Sequence, residues 1–163
     1  MKTLLIMRHA KSSWSNMNTS DHERQLNGRG KEDAPLMGQH LKDEDSVPDL
    51  IISSTAKRAL STAKAVANAS DFTGELRTTR DFYHAGPETY LEVLQSVDDA
   101  FQCVMVVGHN PGMAEFVDEL TGRPEHFTTA NIAQVELPID SWADFTEDIE
   151  GTLRNLWRPK EID

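Results

Sequence analysis

Three short segments of this 163-residue chain carry residue types that can do chemistry. They are Arg8-His9-Ala10-Lys11, Ser53-Ser54-Thr55 with Lys57-Arg58, and Gly108-His109-Asn110-Pro111-Gly112. Each follows directly on an apolar run. An arginine offers a planar fork that matches phosphate oxygens in pairs and keeps its charge. Several such charge-assisted bonds, each worth about 1.5–3 kcal/mol, hold a phosphoryl dianion. A neutral histidine nitrogen can attack phosphorus and form a covalent intermediate. Neighbouring arginines disfavour its protonation and keep it nucleophilic near neutral pH. The second histidine, His109, can donate a hydrogen bond to charge that develops on the transferred group. Taken singly, each residue has a plainer role, as a structural hydrogen-bonder or a surface cation. Their recurrence at the ends of apolar runs is what points to a site.

A metal centre is the rival chemistry for two histidines. Arginines in the same pocket would repel a cation, and the chain has neither His-Glu-x-x-His spacing nor a cysteine pair. No metal and no cofactor is therefore expected. There is also no glycine-rich nucleotide loop and no Gly-x-Ser-x-Gly elbow.

The elements that must position these residues are legible in the hydropathy pattern. Thr3–Met7, Leu50-Ile51-Ile52 and Cys103–Val107 are short, continuous apolar runs, the pattern of strands buried on both faces. Helices are expected over about 28–43, with Asn27 as N-cap and Pro35 as a bend, and over about 56–68. Two more are expected over about 88–97 after Pro87 and over about 111–121, where Pro111 opens the helix and Gly122 stops it. Alternating strands and helices imply a mostly parallel sheet with helices on both faces. Ile132–Leu137 and Thr152–Trp157 alternate and are predicted as late strands without a helix between them. The acid-rich stretch from Asp140 to Gly151 is expected to be a solvated loop. In open α/β sheets ligands bind beyond the carboxyl ends of the strands, which is where all three segments fall.

Length and charge narrow the function classes. The chain fits one domain, residues 1–163. Sixteen lysines and arginines against 27 acids give a net charge of −11. That acidity argues against nucleic-acid and anionic-membrane partners, which require a basic face. One cysteine, Cys103, excludes an intramolecular disulfide and suits a reducing compartment. No targeting or membrane-spanning stretch is visible, so a cytoplasmic location is expected.

Leu5-Ile6-Met7-Arg8-His9-Ala10 resembles the signature of the histidine phosphatase superfamily, the phosphoglycerate-mutase-like clan. Ser53–Ala59 followed by Thr62-Ala63 is similar to its second arginine motif, and Val106–Pro111 to its second histidine motif. Arg24–Gly30 resembles the segment that supplies a further phosphate-side arginine, Arg24. The short length, Phe82-Tyr83-His84-Ala85 and Phe127–Ala133 are similar to the SixA-type phosphohistidine phosphatases. The resemblance implies a three-layer α/β/α sandwich with one antiparallel strand in a mostly parallel sheet. It implies that His9 becomes phosphorylated and that Arg8, Arg24, Arg58 and His109 surround the phosphoryl group.

Two positions depart from the family pattern. Ala10 stands where many members have glycine. The nearest match to the usual general-acid glutamate is Asp81, a different and shorter acid. An alkoxide leaving group needs a proton in the transition state, whereas a phosphorylated imidazole leaves as a nitrogen base. A site with a weak acid thus suits phosphohistidine on a protein, a phosphotransfer domain or phosphocarrier being the implied partner. A small-molecule phosphomonoesterase and a non-catalytic phosphate-binding module are the alternatives.

Overall fold

The structure is a computed structural model and describes residues 1–14 and 18–162. Six strands form one sheet: β1 (Lys2–Arg8), β2 (Leu50–Ser54), β3 (Glu75–Thr79), β4 (Cys103–Gly108), β5 (Ile132–Leu137) and β6 (Thr152–Trp157). Four α-helices alternate with them: α1 (Gly28–Asp43), α2 (Lys57–Ala69), α3 (Pro87–Gln95) and α4 (Gly112–Thr121). The strand order is β3-β2-β4-β1-β5-β6. β1 to β4 are mutually parallel, and β5 runs antiparallel to both β1 and β6.

Successive side chains of a strand face opposite sides of the sheet, and the two cores follow that alternation. Leu5, Met7, Ile51 and Met105 face α1 and α2, where they meet Met37, Leu41, Ala63 and Val66. Leu4, Ile6, Ile52 and Val106 face α3 and α4, where they meet Tyr90, Leu94, Phe116 and Val117. The result is three layers, helix, sheet and helix. The central strands are apolar on both faces because both faces are covered.

Register brings the three chemical segments to one edge. Arg8 pairs with Gly108, and Ser53 with Val107, so β1, β2 and β4 finish at the same level. β5 enters the sheet from that edge, since Ile132 opposes Met7. The turn before it is tied down there. Ala130, in the left-handed region at φ 62°, donates its N–H to the carbonyls of Arg8 and His9, both at 3.1 Å.

Three expectations need correction. The acid-rich stretch is not simply solvated. Its carboxylates are exposed, but Trp142 and Phe145 within it, and Ile139 just before it, are buried in the core under α3 and α4. The Trp142 indole N–H donates to the Phe101 carbonyl at 2.8 Å. Charges on one side of this loop hid an apolar underside. The edge strand β3 was not expected at all, because Glu75, Arg77 and Thr78 give it no apolar run. Helix α4 begins at Gly112, one residue later than expected, with Pro111 as its N-cap. The other helix bounds agree within two residues, and Asn27 does cap α1, its side chain accepting from Gly30 N–H at 2.9 Å.

Candidate active site at the carboxyl edge of the sheet

His9 leaves β1 immediately after Arg8 and is buried among the strand ends. Its Nδ1 lies 2.7 Å from the carbonyl oxygen of Ala10. A carbonyl can only accept, so Nδ1 carries the proton and Nε2 is left with a lone pair. The loop holding His9 is pinned to α2. Thr62 Oγ1 accepts from Ala10 N–H at 2.9 Å and donates to the Arg58 carbonyl at 2.7 Å. Ala10, the residue that departs from the family pattern, is fully buried and packs into the core on the α1 and α2 face.

His109 leaves β4 in the same way. The two imidazole centroids are 5.1 Å apart. Ser54 Oγ, at the end of β2, lies 2.9 Å from His109 Nε2, while Ala56 N–H donates to the same oxygen. Gly108 is required just before it, because a side chain there would drive a Cβ to 2.2 Å from the Tyr90 hydroxyl. Burial first, then the charges of the neighbouring arginines, pushes His9 down to about 3, against the raising effect of its bond to Ala10. Burial and then His9 and Arg58 push His109 down to about 3 as well. Both rings are therefore neutral near pH 7.

Three arginines converge on this pair. Arg8 projects from the end of β1, with Nη1 3.3 Å from the Phe127 carbonyl. Arg58 comes from the first turn of α2 and is 5% exposed. Arg24 is carried in by a loop that pairs with the segment after His9. Ser12 and Leu26 form an isolated antiparallel bridge, Ser13 N–H donates to the Gln25 carbonyl, and Arg24 Nη1 donates to Ser12 Oγ at 2.7 Å. Of the four buried side-chain nitrogens or oxygens without a partner among the described residues, three are here: Arg8 Nε, Arg58 Nε and His109 Nδ1. Buried polar atoms are nearly always paired. This concentration marks a place built for a polar ligand.

Asp21 is the residue that inspection of the sequence missed. It lies in a short 3-10 turn, Asp21–Glu23, and accepts from Arg24 Nε at 3.0 Å, Arg58 Nη2 at 3.1 Å and the Tyr83 hydroxyl at 2.6 Å. Burial raises its pKa, but these three donors outweigh burial and hold the carboxyl well below the usual carboxylate range. One acid thus sets the spacing of two arginines. The D-x-x-R spacing to Arg24 was the available signal.

Together these groups line a cleft of about 520 Å³ whose rim includes Lys11, Trp14, His84, Asn110 and Thr129. Trp14 is 72% exposed and stacks on Arg24, the guanidinium carbon 3.5 Å from its ring centroid. Asp81 is not in the cleft. It is exposed on the 3-10 turn after β3 and lines a separate depression with Thr89, Glu92 and Ser96. The turn instead directs Tyr83 to Asp21 and sets the exposed His84 on the cleft lining, so the expectation of Asp81 as general acid is corrected. The remaining expected site residues, His9, Arg8, Arg24, Arg58 and His109, are brought together.

The arrangement can hold a tetrahedral oxyanion between guanidinium groups with a neutral, correctly protonated imidazole beside it. Among the described residues, no group of three or more His, Cys, Asp or Glu side chains could hold a metal ion. No helix among them is long and apolar enough to cross a membrane.

A cleft of this kind, at the switch from parallel to antiparallel strands, defines a phosphoryl-handling α/β enzyme. The model of the histidine phosphatase superfamily (branch 1) matches residues 4–83. An uncharacterised protein of Mycobacterium tuberculosis is 31% identical over 149 residues, which cover 85% of this chain and 90% of that one. A protein assigned as the phosphohistidine phosphatase SixA of Agrobacterium tumefaciens has a structure that superposes with a TM-score of 0.83. It is 28% identical and covers 97% of this chain and 98% of its own. The protein histidine phosphatase SixA in complex with tungstate also superposes with a TM-score of 0.83, at 25% identity over 97% of each chain. The chain belongs to the histidine phosphatase superfamily and is SixA-type in its architecture.

Proposed function

We propose that this chain is a metal-independent phosphatase that removes the phosphoryl group from phosphohistidine on a protein, in the cytoplasm, as part of phosphoryl signalling. The observation that carries the substrate choice is the state of Asp21. It is the one carboxylate among the described residues that line the cleft. Its three donors hold it ionised, so it has no proton to give to a leaving group at neutral pH. Alkyl phosphates need such a proton. A phosphoimidazole already protonated on its other ring nitrogen does not.

In this reading His9 Nε2 attacks phosphorus as the substrate P–N bond breaks. The bonding pair stays on the departing nitrogen, and the leaving ring becomes a neutral imidazole. His9 becomes positively charged as it is phosphorylated, and its Nδ1–H bond to the Ala10 carbonyl stabilises that charge. Arg8, Arg24 and Arg58 bind the equatorial oxygens, and His109 donates to one of them. Water then attacks phosphorus, and the His9–P bond breaks to return neutral His9 and inorganic phosphate. The SixA neighbour was obtained in complex with tungstate, a tetrahedral dianion like phosphate, and oxyanion binding by a protein of this fold supports the reading.

A second reading, a small-molecule phosphomonoesterase, is favoured by His84, which lines the cleft and can supply a proton. The two are separated by comparing kcat/KM on a phosphohistidine peptide and on an alkyl phosphate. An advantage of about 100-fold or more for the peptide is expected, the lower range of what general acid catalysis contributes. The reverse order would establish the phosphomonoesterase. Binding of both with turnover of neither would make the chain a binding module.

A further inference from the structure

The charge of the molecule is segregated around its cleft. Beyond Arg8, Arg24 and Arg58, the cleft continues on one side into a depression of about 350 Å³ that shares Lys11 and Thr129 with it and adds Arg29, Arg158 and Lys160. On the other side, a depression sharing Arg24 adds Lys31. Half of the 16 basic residues therefore line three adjoining depressions. Of the 27 acids, only Asp21 and Asp33 appear among the described residues that line them. The chain is at −11 overall, so the remaining surface is strongly negative.

Several of these bases already have work. Arg29 pairs with Asp33, and Arg158 with Glu125 and Glu161. Lys11, Lys31 and Lys160 are exposed and make no ion pair among the described residues. Lysines of this kind contribute little to folding, yet here they extend a positive field well past the volume a single phosphoryl group fills. We propose that this basic apron docks the acidic surface of the protein that carries the phosphohistidine, and that it selects substrates by the charge of the residues flanking the phosphorylated histidine. The proposal rests on the phosphohistidine reading above and adds the partner's chemistry to it. An acidic protein ordinarily repels an acidic partner. A local positive field inside a negative surface overcomes that repulsion in one orientation alone, which raises the encounter rate and aligns the phosphoryl group with His9.

The test uses the full chain and three probes: a phosphohistidine peptide flanked by glutamates, the same peptide flanked by lysines, and phosphoramidate, which has no flanks. At about 0.05 M salt the glutamate peptide should exceed the lysine peptide in kcat/KM by about tenfold or more, the low end of electrostatic steering. The gap should close towards about 0.5 M salt as the Debye length shrinks. The double variant Lys31→Glu/Lys160→Glu should abolish or reverse the preference while phosphoramidate turnover stays at the wild-type rate. Equal rates on the two peptides at low salt would overturn the docking surface and leave the phosphatase reading standing. So would a preference that survives the double variant, or a variant that loses phosphoramidate turnover by the same factor. Turnover of phosphoramidate with neither peptide a substrate would sink the phosphohistidine reading, and the docking surface with it.

Discussion

Arg58 holds Asp21 twice, through Nη1 to its backbone carbonyl at 2.6 Å and through Nη2 to its carboxylate at 3.1 Å. A residue of the first turn of α2 is thereby locked to a turn that precedes α1, across a gap of 37 residues in sequence. Because Asp21 also accepts from Arg24, the two guanidinium groups cannot drift apart independently. Asp21 thus positions Arg24 and Arg58 and need not touch the reacting atoms.

Asp21→Asn should therefore weaken inhibition by vanadate or tungstate and lower kcat/KM by about 100-fold, the cost of a misplacement near 1 Å. Asp21→Glu should recover part of the loss, since it restores the charge. Unchanged oxyanion affinity in the asparagine variant would show that the arginines hold their places without it.

Rapid quench of the enzyme with labelled phosphohistidine peptide should trap phosphate that is stable in base and labile in acid, the signature of a P–N bond. His9→Ala should trap none. Since His9 is held near 3, its nucleophilic form persists through the mildly acidic range, and protonation of His9 should not limit phosphoenzyme formation at pH 5. An acid limb tracing to His9 with a midpoint near 6.5 would contradict the burial argument.

Stability should depend on pH through the same two rings. His9 and His109 are neutral when folded down to about pH 3, but titrate near 6.5 when unfolded. Below that value the unfolded chain binds protons that the folded site refuses, so stability is full above about pH 6.5 and falls as pH drops. The limiting slope is about 1.4 kcal/mol per pH unit for each histidine. Urea midpoints at pH 7.5, 6 and 5 should decline, and His109→Gln should make the decline shallower. A flat profile would mean that these rings are solvated in the folded protein.

Asp81 supplies a control. Its exposure outside the cleft predicts that Asp81→Asn leaves kcat/KM within about twofold of wild type on every substrate, as for ordinary surface changes. A selective loss on alkyl phosphates would return Asp81 to the catalytic machinery by way of a moving loop.

Prolonged treatment with EDTA, followed by assay in chelator, should leave activity intact, because the positive charge of the cleft opposes a divalent cation. Loss reversed by added zinc or magnesium would replace the histidine mechanism with a metal-assisted one.

The sheet and its chemical edge were readable from the chain because they obey local rules. Apolar runs such as Cys103–Val107 must be buried on both faces, helices between them force a parallel sheet, and parallel strands end at a common edge. Arg8, His9, Arg58 and His109 each follow such a run, or its turn, within a few residues. What failed was whatever depended on one side of a segment or on a distant partner. β3 is an edge strand, so polar residues conceal it. Trp142 and Phe145 are core residues inside a run of acids, because only one side of that loop meets water. Asp81 and Asp21 are both loop carboxylates a few residues from an expected site element, and spacing alone could not rank them. Only the closure of the loops around the cleft turns Tyr83 inward and Asp81 outward, and brings Asp21 between Arg24 and Arg58. The basic apron is the extreme case. Lys31 and Lys160 are unremarkable lysines far apart in sequence, and become part of one field because folding sets them in depressions that adjoin the same cleft, where Coulomb interaction follows distance through space and not along the sequence.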